Sequence, residues 1–166
     1  MDKIIALKVT LKDTKPAIWR KVQVSSDVTF FALNHIIQIC MGWTCSHLFE
    51  FQVGDYKIGY VSDDLEGCED TADAGAVLLD LLLLKKGLQF GYLYDFGDYW
   101  QHIVLVERLM EIKKGVAYPV CTGGAMACPH EDRGGIPRHY YNMEILKDPK
   151  HPEYKDTRRW LGRPEV

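Results

Sequence analysis

The stretch of this 166-residue chain that most clearly repeats its apolar residues at the three- and four-residue steps of a helix constrains the fold most. In SSDVTFFALNHIIQICMGW, Phe30, Leu33, Ile36, Ile37 and Met41 share one side of a helix over Thr29–Met41. Asp27 or Thr29 caps its start and Gly42 closes its end. Elsewhere the pattern is that of strands. IIALKVTL and AIWRKVQV alternate apolar and polar residues across a KDTKP turn, where Pro16 pushes the preceding residues away from helix. HLFEFQV and DYKIGYV make a second hairpin around Gly54-Asp55. LQFGYLYD and YWQHIVLVE make a third, closed by a four-residue turn at Asp95-Phe96-Gly97-Asp98. These segments predict a single α+β domain over residues 1–166: a mostly antiparallel sheet of five or six strands, one helix packed on a face, and short C-terminal helices. A parallel doubly wound sheet needs alternating β and α units, which this sequence lacks.

The segments between these elements are of other kinds. Residues 62–74, SDDLEGCEDTADA, are acidic without a basic residue and predict a solvated loop. LLDLLLLKKG predicts one short buried helix ended at Gly87. YPVCTGGAMACPHEDRGGIPRHYY is dense in Gly, Pro and Cys, the composition of an ordered irregular loop. Two short helices follow, near Arg138–Lys147 and Pro152–Leu161, the second anchored by Trp160. Trp19, alternating with the apolar residues of its strand, and Trp43, at the helix end, are both expected to be buried.

Composition excludes several classes of function. With a net charge of −3, a general electrostatic grip on nucleic acid or anionic membrane is not expected. Lys147, Lys150, Lys155, Arg158, Arg159 and Arg163 do cluster near the C-terminus, but Asp148, Glu153, Asp156 and Glu165 are interleaved with them. That mixture is the pattern of a solvated helix surface, against a weaker reading as a small nucleic-acid patch. The longest apolar run, AVLLDLLLL, is broken by Asp80 and falls short of a membrane span, and no secretory signal is visible. Five cysteines without regular spacing fit reduced thiols in a cytoplasm better than a disulfide framework.

Three places offer chemistry. In CTGGAMACPHED, Cys121, Cys128 and His130 are the donor types that Zn²⁺ takes. Six residues separate the thiols, more than the usual two to four, and the competing reading is a pair of thiols packing a loop poor in apolar side chains. In YDFGDYWQH, a four-residue loop sets Leu93 opposite Trp100 and Gly91 opposite His102, with Asp95 and Asp98 at the same end. Asp and Gly are also what tight turns use, so the aspartates have a purely structural reading as well. The Asp-Phe-Gly string stands without the glycine-rich loop or His-Arg-Asp of a kinase. His47, in a strand, would share the apolar face of Phe49, Phe51 and Val53, and a histidine so placed is more often a core residue than a ligand. Neither a GxSxG elbow nor a phosphate-cradling loop is present.

Four motifs, taken in order, resemble the plasmid pRiA4b ORF-3-like family, a group that includes passenger proteins of mobile elements. They are LKVTLKDTKPAIWRKVQV, MGW followed by HLFEF, YLYDFGDYWQHIVLVE, and YPVCTGGAMACPHEDRGG. The resemblance runs from about residue 4 to residue 161 and implies an α+β domain without naming an activity. Family members often read CPPEDCGG where this chain has CPHEDRGG, so His130 and Arg133 replace a proline and a cysteine. If that cysteine ligates a metal in the family, this chain has lost it, and Arg133 would pair with Glu131, Asp132 or another carboxylate.

Two functions of different class follow. One is a non-catalytic binding or accessory domain, holding a protein or small molecule through Asp95, Asp98, Trp100, His102, Glu131, Asp132 and Arg133, beside aromatics suited to contacts. The other is a metal-dependent hydrolase in which Asp95, Asp98, His102 and the Cys121/Cys128 loop surround an ion and its water. Both expect the Cys121–Arg133 loop to fold back against the hairpin that carries Asp95, Asp98 and His102.

Overall fold

Alternation at the N-terminus becomes a long hairpin. In the computed structural model, which describes residues 3–62, 70–82 and 85–162, β1 (Lys3–Leu11) and β2 (Trp19–Ser25) pair antiparallel, Leu7 opposite Val22 and Val9 opposite Arg20. Thr14 holds the turn: its Oγ1 donates to Leu11 O at 2.9 Å and accepts from Ile18 N at 3.1 Å. Helix α1 (Phe30–Met41) has both ends closed as predicted. Thr29 Oγ1 accepts from Ala32 N at 3.1 Å, and Gly42, at φ 79°, donates its N–H to the Gln38 and Ile39 carbonyls.

The remaining strands are β3 (Phe49–Val53), β4 (Tyr56–Gly59), β5 (Thr71–Asp73), β6 (Gln89–Tyr94), β7 (Trp100–Glu111) and β8 (Val120–Ala125), followed by α2 (Gly135–Ile145) and α3 (Tyr154–Trp160). They form one eight-stranded sheet in the order β5-β4-β3-β6-β7-β1-β2-β8. Every neighbouring pair is antiparallel except β4 and β5. Helix α1 buries Phe30, Leu33, Ile37 and Met41 in the core with Leu7, Val9, Val22, Phe51, Tyr92, Trp100 and Val104. Two polar residues on the same side of α1 are satisfied there. Tyr92 OH donates to Asn34 Oδ1 at 2.6 Å and accepts from Gln38 Nε2 at 2.8 Å, while Gln38 Oε1 accepts from Cys45 N at 3.3 Å. Among the described residues no helix is long and apolar enough to cross a membrane.

The α+β class and the antiparallel bias hold, but the sheet has eight strands where five or six were expected. The two extra strands, β5 and β8, are its edges, and neither buries a residue fully. An edge strand bonded on one side needs no apolar alternation, so acidic and glycine-rich sequence concealed both. Residues 63–69 of the acidic segment lie outside the described residues. The leucine-rich stretch forms a 3₁₀ turn over Leu79–Leu82 instead of a longer helix, with residues 83–84 outside the described set.

Two local corrections bear on the site. The third hairpin closes with five residues, Asp95 to Tyr99, because Tyr94 pairs with Trp100. Tyr92, not Gly91, therefore stands opposite His102. Trp19 is only half-buried. Ile18, Val22 and Val24 take the inward face, leaving Trp19 on the opposite side beneath the Lys8 and Lys21 ammonium groups, 5.1 and 5.8 Å from its ring. Trp43 is buried, as expected.

Candidate functional site

The hairpin tip is wound tightly. Tyr99 N–H bonds Asp95 O at 2.7 Å, and Asp95 and Tyr99 both adopt left-handed backbone, at φ 58° and 59°. Asp95 Oδ1 accepts from Gly97 N at 2.8 Å. Asp95 N–H reaches across to Leu48 O at 2.9 Å, which ties the tip to the segment carrying His47.

The loop before α2 then docks onto this tip. Asp98 accepts from two successive loop amides, Arg133 N at 2.8 Å and Gly134 N at 2.9 Å. The approach is so close that a Cβ on Gly135 would lie 2.3 Å from Asp98 O, at a backbone φ of 68° that already favours glycine. Glu131 is held by both oxygens, from Tyr94 OH at 2.5 Å and from Thr44 N at 2.8 Å. Burial and the Glu131 carboxylate together push the Tyr94 phenol well above its ordinary pKa, so it stays protonated as the donor. Trp43 Nε1 donates to Pro129 O at 2.8 Å. The expected return of the loop to the hairpin is thus present for Asp95 and Asp98.

Last at this junction is His47. Its Nε2 lies 2.8 Å from Asp132 Oδ1 and 3.7 Å from Asp95 Oδ2, and the three donor atoms fall within 4.8 Å of one another. His47 sits just before β3, so it is not held on the apolar face shared by Phe49, Phe51 and Val53. The register had the signal: Phe49 pairs with Tyr94, so the residues preceding Phe49 must lie beside those following Tyr94.

Other expected site residues lie elsewhere. The side chains of Trp100 and His102 are packed in the core, 0 % and 1 % exposed, against Trp43. Burial drives the His102 pKa down to about 4, and its Nε2 has no hydrogen-bond partner among the described residues. With Asp98 held by amides and His102 in the core, the hydrolase arrangement of Asp95, Asp98 and His102 is not assembled. Among the described residues Arg133 pairs with no carboxylate. Its guanidinium stacks 3.3 Å from the Trp160 ring centre, and Nη2 donates to Trp160 O at 2.9 Å. Trp160 is half-exposed, and Thr157 and Leu161 do the burying for α3.

Cys121, Cys128 and His130 do not converge among the described residues. Cys128 Sγ accepts from Arg20 Nη2 at 3.0 Å and lies 3.2 Å from Met41 Sδ, whereas Cys121 is exposed and faces Cys40. Desolvation, reinforced by Cys121, raises the Cys40 thiol to about 11, so Cys40 rests as the neutral thiol. His130 instead borders a cavity of about 400 Å³ between α2, the Lys15–Pro16 turn and the loop. Ile18, Met126, Met143 and Leu161 supply its apolar wall, with His139, Arg133 and Asn142 among the polar lining. Of the C-terminal basic residues, Lys147 pairs with Glu144 at 2.6 Å and Arg159 with Asp156 at 3.5 Å. Arg163 lies outside the described residues.

The profile of the plasmid pRiA4b ORF-3-like protein family matches residues 3–165. An uncharacterized protein of Sinorhizobium fredii, y4hQ, is 36 % identical over 160 residues, covering 96 % of this chain and 81 % of its own length. The crystal structure of MM3350, a protein of unknown function from Methanosarcina mazei Go1, superposes with a TM-score of 0.87 at 36 % identity, covering 100 % of this chain and 93 % of that one.

Proposed function

The chain belongs to the plasmid pRiA4b ORF-3-like protein family, and from that premise we propose that it is a non-catalytic binding domain whose ligand seats in the cavity beside α2. The cavity carries this reading. At about 400 Å³ it falls in the size range of small-molecule sites, with apolar walls and a few convergent polar groups. Two of its lining residues supply unmatched polar atoms: Arg133 Nη1, a donor, and Asn142 Oδ1, an acceptor, are buried without a hydrogen-bond partner among the described residues. The favoured ligand is a small amphipathic molecule, apolar against Ile18, Met126, Met143 and Leu161 and polar toward His130, His139 and Arg133. Phe96 and Tyr99 at the hairpin tip are half-exposed and suit a protein contact, and Tyr99 borders a second hollow of about 410 Å³ whose lining, with Lys12, Glu50, Gln52 and Gln101, is the less apolar of the two.

Titrating the ¹⁵N-labelled full chain with a set of small amides and carboxylates tests this reading. Amide shifts should cluster at His130, His139, Met143 and Leu161, and Asn142→Leu should abolish them while the unfolding temperature stays near that of the parent. Shifts confined to Phe96–Tyr99, or none from any member of the set, would count against the cavity.

A further inference from the structure

We propose that His47, Asp95 and Asp132 form a binding site for one divalent transition-metal cation, separate from the cavity and independent of its ligand. Four carboxylates meet at the hairpin–loop junction, and the hydrogen bonds sort them into two kinds. Asp98 has both oxygens engaged by the Arg133 and Gly134 amides, and Glu131 has both engaged by Tyr94 OH and Thr44 N. Those two build the junction. Asp95 and Asp132 are left to face one another across His47.

Asp95 is the telling member. Its residue is 7 % exposed, and its Oδ1 accepts from Gly97 N. Its Oδ2 points at His47 Nε2 from 3.7 Å, too far for a hydrogen bond, and makes none among the described residues. An oxygen on so enclosed a residue, met by no donor among the described residues and aimed at an imidazole nitrogen, is open to a cation. Donors around one tetrahedral ion stand about 3.4 Å apart when metal–ligand bonds are about 2.1 Å. The His47 separations from Asp132 and Asp95, 2.8 and 3.7 Å, bracket that spacing. One imidazole nitrogen with two carboxylate oxygens suits Zn²⁺, Mn²⁺ or Fe²⁺ better than Ca²⁺ or Mg²⁺, which favour oxygen throughout. Three protein donors also leave positions for water.

The three ligands come from the segment before β3, the β6–β7 tip and the loop before α2, so the cation would tie these segments together. For the test, full chain prepared without a histidine tag is stripped with EDTA and titrated with Co²⁺, Mn²⁺ and Zn²⁺. One equivalent of Co²⁺ should bind with the d–d bands of nitrogen–oxygen ligation and without a thiolate-to-cobalt charge-transfer band. Asp132→Asn and His47→Gln should each weaken binding by about tenfold or more, with metal-free unfolding temperatures close to the parent's. Cys121→Ser and Cys128→Ser should leave binding unchanged. The site does not exist if none of the three cations binds saturably, if binding survives both ligand substitutions, or if a charge-transfer band appears and is lost with the cysteines.

Discussion

Two polar clusters, one beneath α1 and one at the hairpin–loop junction, differ in how their hydrogen bonds close. Beneath α1, Asn34, Gln38 and Tyr92 satisfy one another inside the core, and the Tyr92 hydroxyl both donates and accepts. At the hairpin–loop junction, acceptors outnumber donors among the described residues: two carboxylates are saturated by the fold, while Asp95 Oδ2 has no hydrogen bond there and Asp132 has only His47. A polar cluster whose donors and acceptors match is a piece of scaffold. One with acceptor capacity left over is where a ligand's charge can be received.

Substitutions can break this contrast at four strengths. Trp43 is buried at the junction, stacking 5.2 Å from Tyr94 and bonding Pro129 O, so Trp43→Ala should cost about 3–5 kcal/mol in urea unfolding. Trp43→Phe should retain most of the core term and selectively speed amide exchange at residues 130–134.

Next in size is a pH effect beside Tyr92. Above pH 6.5 His102 is neutral in both folded and unfolded chains and contributes no pH dependence. Between pH 6.5 and about 4 the unfolded chain binds a proton that the buried ring refuses, so stability falls as pH falls. The loss should reach roughly 3 kcal/mol below pH 4, from 1.36 kcal/mol per pKa unit. An acid limb of equal steepness in His102→Leu would show that other groups cause it.

The third pair compares the clusters directly. Tyr92→Phe leaves Asn34 and Gln38 without their shared hydroxyl and should cost about 1–3 kcal/mol, with exchange in the 130–134 loop unaltered. Asp98→Ala should cost a similar amount, about 2 kcal/mol, but release that loop, seen as rapid exchange of the Arg133 and Gly134 amides. Equal loop exchange in the two variants would erase the distinction. The smallest effect belongs to Asp132→Asn without metal. Its side chain is 71 % exposed, and losing one surface pairing with His47 should change stability by less than about 1 kcal/mol.

Much of this arrangement was legible in the sequence because the responsible forces are local. Thr29 and Gly42 mark the ends of α1 through capping, and the Asp-Phe-Gly-Asp string marks the third hairpin through turn chemistry. The expected return of the Cys121–Arg133 loop to the hairpin is met at Asp98, which takes the Arg133 and Gly134 amides, a pairing of residues the sequence did not single out. What escaped depended on register and on long-range placement. One extra residue in the turn shifted Tyr92 opposite His102, and a strand beginning at Phe49 freed His47 from the apolar face. The edge strands β5 and β8 carry no alternation, since each pairs with the sheet on one side only. Arg133 found an indole face in place of a carboxylate, a choice that rests on where α3 docks.

The Asp98 clamp also orders events in time. It joins residues 35 and 36 positions apart, with the whole of β7 and β8 between them. Its acceptor is created by a short-range hairpin, whereas its donors arrive only after a long stretch of chain has been confined, so the loop docks late on the folding route. By the same reasoning the docked loop is the first part of the junction to let go in the native state, opening locally while β6 and β7 stay paired. Asp132 rides on that loop while Asp95 stays with the hairpin, so each opening event pulls the two carboxylates apart and each reclosure rebuilds the space between them.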